Sequence, residues 1–154
     1  MATILLVDDN PVERRIVRMT LDMDGHRAAE ASTGAEALEI IAKYPVDLVL
    51  LAMGLKDTNA YDVISQARTM PGREHTAIVA ILESDDEKGP VESFMAGAVD
   101  LLIRPFGALD VREIVVRATT GEEVDRRRLL VGRQLEAFET AQRLQEQARA
   151  SAQT

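Results

Sequence analysis

The 154-residue chain contains no cysteine. That excludes a disulfide framework, a thiolate zinc site and a cysteine nucleophile, and it fits a reducing compartment. Aromatic residues make up only 3%, so any core must be built from Ile, Leu, Val, Met and Ala. Long apolar runs are missing too. The opening run Ile4-Leu5-Leu6-Val7 stops at Asp8-Asp9, far short of the ~20 residues a membrane-spanning helix needs. It also lacks the basic start and small-residue cleavage site of a secretion signal. A soluble, cytoplasmic chain with no membrane contact is expected. His26 and His75 have no metal-binding partner at a suitable spacing.

Positive charge is scarce in most of the chain. The net charge is −8. Residues 121–154 hold six acids and six arginines, so residues 1–120 carry the whole excess, with 20 acids against 12 bases. An acidic body of this kind does not grip nucleic acid, which requires a positive footprint. The run Arg126-Arg127-Arg128 is balanced by Glu122, Glu123 and Asp125 and reads as a solvated helix face.

What is present is an alternation of short apolar runs and helical patterns. Hydrophobic residues make up 46%, enough for a core, and the length suits one domain of about 100–150 residues with an appendage. Thr3–Val7 reads as a buried strand. Asn10 then offers a helix cap, Pro11 suits the first helical position, and Glu13 completes a capping box. Val12, Ile16, Met19 and Met23 recur at helical spacing up to Gly25. His26–Ala31 is a weaker strand. Thr33-Gly34-Ala35-Glu36 is a second capping box, before Leu38, Ile40 and Ile41. Strands follow at Asp47–Leu51, Ala77–Leu82 and Val99–Ile103. Helices are expected over 60–69, from Pro90 to before Gly97, and over Leu109–Thr119. Five strands each followed by a helix predict a parallel sheet covered on both faces. The binding site of such a sheet lies at the carboxyl ends of its strands. Asp8, Asp9, Ala52, Leu82 and Arg104 all fall there.

Residues 121–154 form a separate extension. Proline is absent from 122–150, and Ala, Leu, Glu, Gln and Arg favour helix. Glu122–Arg126, Glu123–Arg127 and Glu139–Arg143 are i,i+4 pairs in the favourable order. Val124, Val131, Leu135, Phe138 and Ala141 lie near one face, though Arg127, Arg128 and Gln134 interrupt the stripe. A long C-terminal helix is expected, pairing as a coiled-coil homodimer through 122–150 or linking to an output domain.

At this point the chain resembles the CheY-like receiver domains of response regulators. Ile4 to Pro11 looks like the family's opening. Asp47-Leu48-Val49-Leu50-Leu51 looks like the strand that leads to its phosphoacceptor aspartate, and Gly97 to Phe106 looks like the segment carrying its lysine-proline pair. The resemblance covers residues 2–120 and implies a flavodoxin-like (βα)5 doubly wound sheet in the order 2-1-3-4-5. It also implies a carboxylate that takes a phosphoryl group from a histidine kinase, with Mg²⁺ held by oxygen ligands.

Carried over by position, the match is partial. Asp8 and Asp9 stand where the metal-binding acids belong, and Gly54 where a backbone carbonyl would complete the site. The phosphoacceptor position is Ala52, the hydroxyl position is Leu82, and the lysine of the lysine-proline pair is Arg104, before Pro105. Lys56, Ala60 and Leu101 also depart from the pattern. The expected pocket of Asp8, Asp9, Ala52, Leu82, Arg104 and Pro105 is degenerate, with no catalytic residue and Mg²⁺ absent or weakly bound. Asp57 lies beyond the strand end and is a poor substitute acceptor. Arg104 either pairs with Asp8 or Asp9 or turns to solvent.

Two readings follow. One is a pseudo-receiver that is not an enzyme and signals, independently of phosphorylation, by binding a kinase, an output domain or another signalling protein. The resemblance places its contact face on the fourth helix, fifth strand and fifth helix, including Phe94, Met95, Leu101 and Ile103. The alternative is a phosphorelay receiver seen as a non-phosphorylatable Ala52 variant, or the front end of a longer regulator.

Overall fold

The computed structural model describes residues 1–120 and 138–150. Its elements are β1 (Thr3–Val7), α1 (Pro11–Met23), β2 (Arg27–Ala31), α2 (Gly34–Lys43), β3 (Leu48–Ala52), α3 (Ala60–Thr69), β4 (Ala77–Leu82), α4 (Gly89–Ala96), β5 (Asp100–Ile103) and α5 (Ala108–Thr119). The strands are parallel and lie in the order β2-β1-β3-β4-β5. This is the flavodoxin-like sheet that the family resemblance implies. Residues 138–150 are helical. The rest of the expected coiled coil lies outside the described residues.

The unbroken apolar runs are explained by burial on both faces. Every residue of β3 and β4 is buried. On one side Ile4, Leu6, Leu50, Val79 and Ile81 meet Val17 and Leu21 of α1 and Val111, Ile114 and Val115 of α5. On the other, Leu5, Val7, Val49, Leu51 and Ile78 meet Ile41 of α2 and Val63, Ile64 and Ala67 of α3. Successive strand residues alternate between these two layers.

Several expected boundaries shift by one residue. β2 begins at Arg27 because the His26 N–H turns back to the Leu21 carbonyl of α1 at 3.1 Å, while the His26 Nδ1 accepts from the Ala2 N–H at 3.0 Å. Asp47 sits before β3 and fastens it to β1, its Oδ2 accepting from the Thr3 N–H at 2.8 Å. Gly89 opens α4 because the Asp86 carboxylate accepts its N–H at 2.9 Å.

α1 buries only part of its apolar surface. The helix forms where expected, but the face it buries is Val17, Thr20 and Leu21. Thr20 fits there because its hydroxyl donates to the Ile16 carbonyl at 3.2 Å. The apolar stripe of Val12, Ile16, Met19 and Met23 points outward, each of the four more than half exposed.

Candidate functional site

The carboxyl ends of β1, β3, β4 and β5 surround a cleft of about 260 Å³, lined by Asp8, Asp9, Asn10, Glu13, Ala52, Gly54, Glu83 and Arg104. Parallel pairing puts these ends side by side: Val7 aligns with Leu51, Ala52 with Ile81, and Leu82 with Ile103. The loops leaving the strands therefore converge.

Arg104 organises the cleft. Its Nε lies 3.0 Å from both carboxylate oxygens of Glu13. One terminal nitrogen donates to Glu83 at 2.9 Å, and the other lies 3.6 Å from Asp8 Oδ2. A guanidinium suits this work because its planar fork addresses several oxygens at once. Burial alone would pull the Arg104 pKa down, but the hydrogen bond and charge of Glu13, with Asp8 and Glu83, hold it above its ordinary value.

Asp8 is the most buried charged group here, its side chain only 7% exposed. Burial pushes its pKa up, and the charges of Glu13 and Asp9 add to that. The Asn10 N–H and Arg104 oppose the shift without cancelling it. Asp8 Oδ1 accepts from the Asn10 N–H at 2.9 Å. Arg14 donates to the Asp8 carbonyl at 2.6 Å and pairs with Glu30 at 3.0 Å, tying this loop to β2. Asp9 turns towards the loop after β3, its Oδ2 accepting from the Lys56 N–H at 3.2 Å. A proline at position 56 could not make that bond.

The reading of residues 10–13 as a capping box needs correction. Asn10 does cap α1, accepting from Val12 N–H and Glu13 N–H. The Asn10 N–H, however, goes to Asp8, and the Glu13 carboxylate is taken by Arg104. A carboxylate at that helical position satisfies either role, and the tertiary fold decided between them.

Two expected pocket residues are not in the cleft. Leu82 is only 1% exposed. Its side chain turns beneath the start of α4, with Cδ2 2.8 Å from where a Cβ on Gly89 would sit, and the next residue, Glu83, faces the cleft in its place. Pro105 follows a cis peptide bond and lines a separate depression between β5 and α5 with Leu101, Phe106 and Ile114. Glu83 was missed by the sequence reading, although it follows a strand end as Asp8 does, and that position is the signal that would have found it. Asp57 lies elsewhere. Its carboxylate accepts from the Gly34 N–H at 3.0 Å and the Ala35 N–H at 3.4 Å, capping α2.

The donor set fits Mg²⁺ poorly. Ala52 offers no side-chain oxygen, Asp8 faces a guanidinium, and Asp9 is engaged by the Lys56 N–H. Among the described residues no group of three or more His, Cys, Asp or Glu side chains stands in a metal-holding arrangement. Nor, among these residues, is any helix long and apolar enough to cross a membrane.

Residues 4–116 match the model of the response regulator receiver domain, and the chain belongs to that family. It is therefore a receiver domain of the two-component response-regulator class. It is 33% identical over 129 residues to the transcriptional regulatory protein KdpE of Mycobacterium tuberculosis, which covers 81% of this chain and 56% of that protein. The chain thus spans about half the length of that relative. Among solved structures it superposes on the chemotaxis response regulator CheY4 of Vibrio cholerae with a TM-score of 0.73 at 24% identity, over 77% of this chain and 98% of that one. It also superposes on the receiver domain of a Pseudomonas aeruginosa sensor histidine kinase, with a TM-score of 0.72 at 24% identity, over 77% and 97%. That structure is described as having a magnesium ion coordinated in its active site cleft. At such identities these likenesses bear on the fold.

Proposed function

We propose that this receiver works without accepting a phosphoryl group. In this reading it is a pseudo-receiver that signals in the cytoplasm through protein contacts and performs no catalysis of its own. One observation carries the proposal: the cleft holds an arginine bound to Glu13, Glu83 and Asp8, above a buried methyl group at Ala52. A phosphoryl group on an aspartate needs a carboxylate nucleophile, a metal and a free cation. Here the nucleophile is missing, the metal ligands are otherwise engaged, and the cation is already paired. The degenerate pocket of Asp8, Asp9, Ala52 and Arg104 would then be a structural clamp, with Gly54 retained beside it and Mg²⁺ absent or weakly held.

The partners proposed are a kinase, an output domain or another signalling protein. Met95 and Ile103 are exposed on the face the family resemblance suggests. Residues 1–120 would be the receiver and 121–154 the link to an output domain or to a second chain.

Intact-mass analysis after treatment with acetyl phosphate and Mg²⁺ tests the reading, with Ala52→Asp run alongside. Neither protein should gain a phosphoryl group. Labelling of the native chain overturns the proposal. Labelling of Ala52→Asp alone favours the second reading, a phosphorelay receiver disabled at one position, for which the surviving Asp8-Asp9 pair speaks.

A further inference from the structure

α1 presents an apolar seam that nothing among the described residues covers. Val12 is 67% exposed, Ile16 60%, Met19 59% and Met23 76%. Single exposed apolar side chains are ordinary, but a contiguous row of four on one helix is a docking feature. The spacing is four, three and four residues, which is the a/d repeat by which two helices pack side by side. The opposite face of α1 is already committed to the sheet through Val17 and Leu21. The inner contacts thus fix the helix and leave the seam outward.

The charges beside the seam indicate what fits it. On its free flank stand Arg15 and Asp22, both exposed. Arg15 makes no ion pair or hydrogen bond among the described residues, while Asp22 has only a loose i,i+4 contact with Arg18 at 3.7 Å. If a second α1 lies antiparallel against the first, centred between Val17 and Arg18, Val12 packs on Met23 of the second copy and Ile16 on Met19. Arg15 of each chain then comes beside Asp22 of the other. A two-fold antiparallel seam therefore joins unlike charges twice and leaves no like pair on that flank. A parallel pairing would set this flank against the opposite flank of the second helix, so Arg15 and Asp22 would not meet.

The geometry points to α1 as a self-association surface: a second copy of this chain docks antiparallel along Val12, Ile16, Met19 and Met23. The inference does not depend on the state of the Arg104 cleft. One helix per chain forms an interface at the small end of the specific range, which is about 1,200 Å² in total. The dimer is accordingly weak and concentration-dependent.

The absence of cysteine makes a register test clean. In the full-length chain, Val12→Cys and Met23→Cys are prepared separately and then mixed under a mild oxidant. The mixture should form a disulfide-linked dimer. Val12→Cys alone should not, because its two copies would lie roughly 16 Å apart along the seam at the helical rise of 1.5 Å per residue. Sedimentation velocity of the native chain should show a dimer that grows with concentration into the high-micromolar range. Arg15→Glu should weaken that dimer at least tenfold, and Arg15→Glu with Asp22→Arg should restore it. All these positions are exposed, and unchanged circular dichroism and melting confirm that the fold is kept. A chain that stays monomeric at millimolar concentration overturns the inference. So does a dimer that neither cross-links in the mixture nor responds to the charge variants, which would place the contact elsewhere, for example in the C-terminal extension.

Discussion

The Arg104 guanidinium meets both carboxylate oxygens of Glu13 at 3.0 Å, across 91 positions of sequence. The contact joins the loop after β5 to the first turn of α1, and Glu83 adds the loop after β4. One side chain thus braces three loops at the open end of the sheet.

Arg104→Ala should lower stability by about 1–3 kcal/mol, since it leaves Glu13, Asp8 and Glu83 clustered without their cation, while partial solvent access limits the loss. Arg104→Lys should recover only part of it, because an ammonium lacks the planar fork. Urea denaturation measures this, and an unchanged midpoint for Arg104→Ala would contradict the bracing role.

Glu13 distinguishes a clamp from a cap. If its carboxylate serves Arg104, Glu13→Gln should cost stability in the native background and little once Arg104→Ala is present. The coupling expected for such a contact is about 0.5–3 kcal/mol. Equal costs in both backgrounds would return Glu13 to a local role at the start of α1.

Asp8 gives the acid response a definite sign. Its folded pKa is raised, first by burial and then by Glu13 and Asp9. The native state therefore holds this proton more tightly than the unfolded chain. The Asp8 contribution is most favourable below the unfolded aspartate value and is lost as pH rises through the folded one. Glu30 acts in the opposite direction. Burial disfavours its charge, but Arg18 and Arg14 outweigh that and lower its pKa, so its contribution is present above the unfolded glutamate value and disappears as pH falls through the folded one. Denaturation midpoints measured through the acid range should show Asp8→Asn removing a term that falls with pH, and Glu30→Gln removing one that rises.

Asp57→Asn should cost about 0.5–1 kcal/mol, because a charged acceptor at the start of α2 becomes neutral. Hydrogen exchange at Gly34 and Ala35 should quicken in this variant. Phosphodonor treatment should label neither the native chain nor Asp57→Asn, whereas labelling of the native chain that Asp57→Asn abolishes would make Asp57 an acceptor and not a cap.

Much of the architecture was legible in the residues. Leu48–Leu51 and Ala77–Leu82 are apolar on both faces, so they read as central strands, and Asn10 and Thr33 announced helix starts that the fold keeps. The convergence of Asp8, Asp9, Ala52 and Arg104 at the strand ends was legible for the same reason, since the parallel topology dictates it. The walls of the cleft were less so. Leu82 and Glu83 are neighbours, and which of them faces the cleft depends on how the chain leaves β4.

The sequence by itself determined the element types, their order along the chain and a parallel sheet covered on both faces, because periodicity and capping are local and parallel crossovers leave few choices; the strand order was implied by the family resemblance of its motifs. It also determined that Ala52 supplies no nucleophile. The tertiary structure alone decided which carboxylates Arg104 would serve, since Glu13 and Glu83 are distant along the chain and meet it only when β1, β4 and β5 end together. It alone decided, too, that α1 would bury Val17, Thr20 and Leu21 and leave its more hydrophobic stripe outside. A helix pattern states that one face is apolar, and the packing of the sheet determines which face is used.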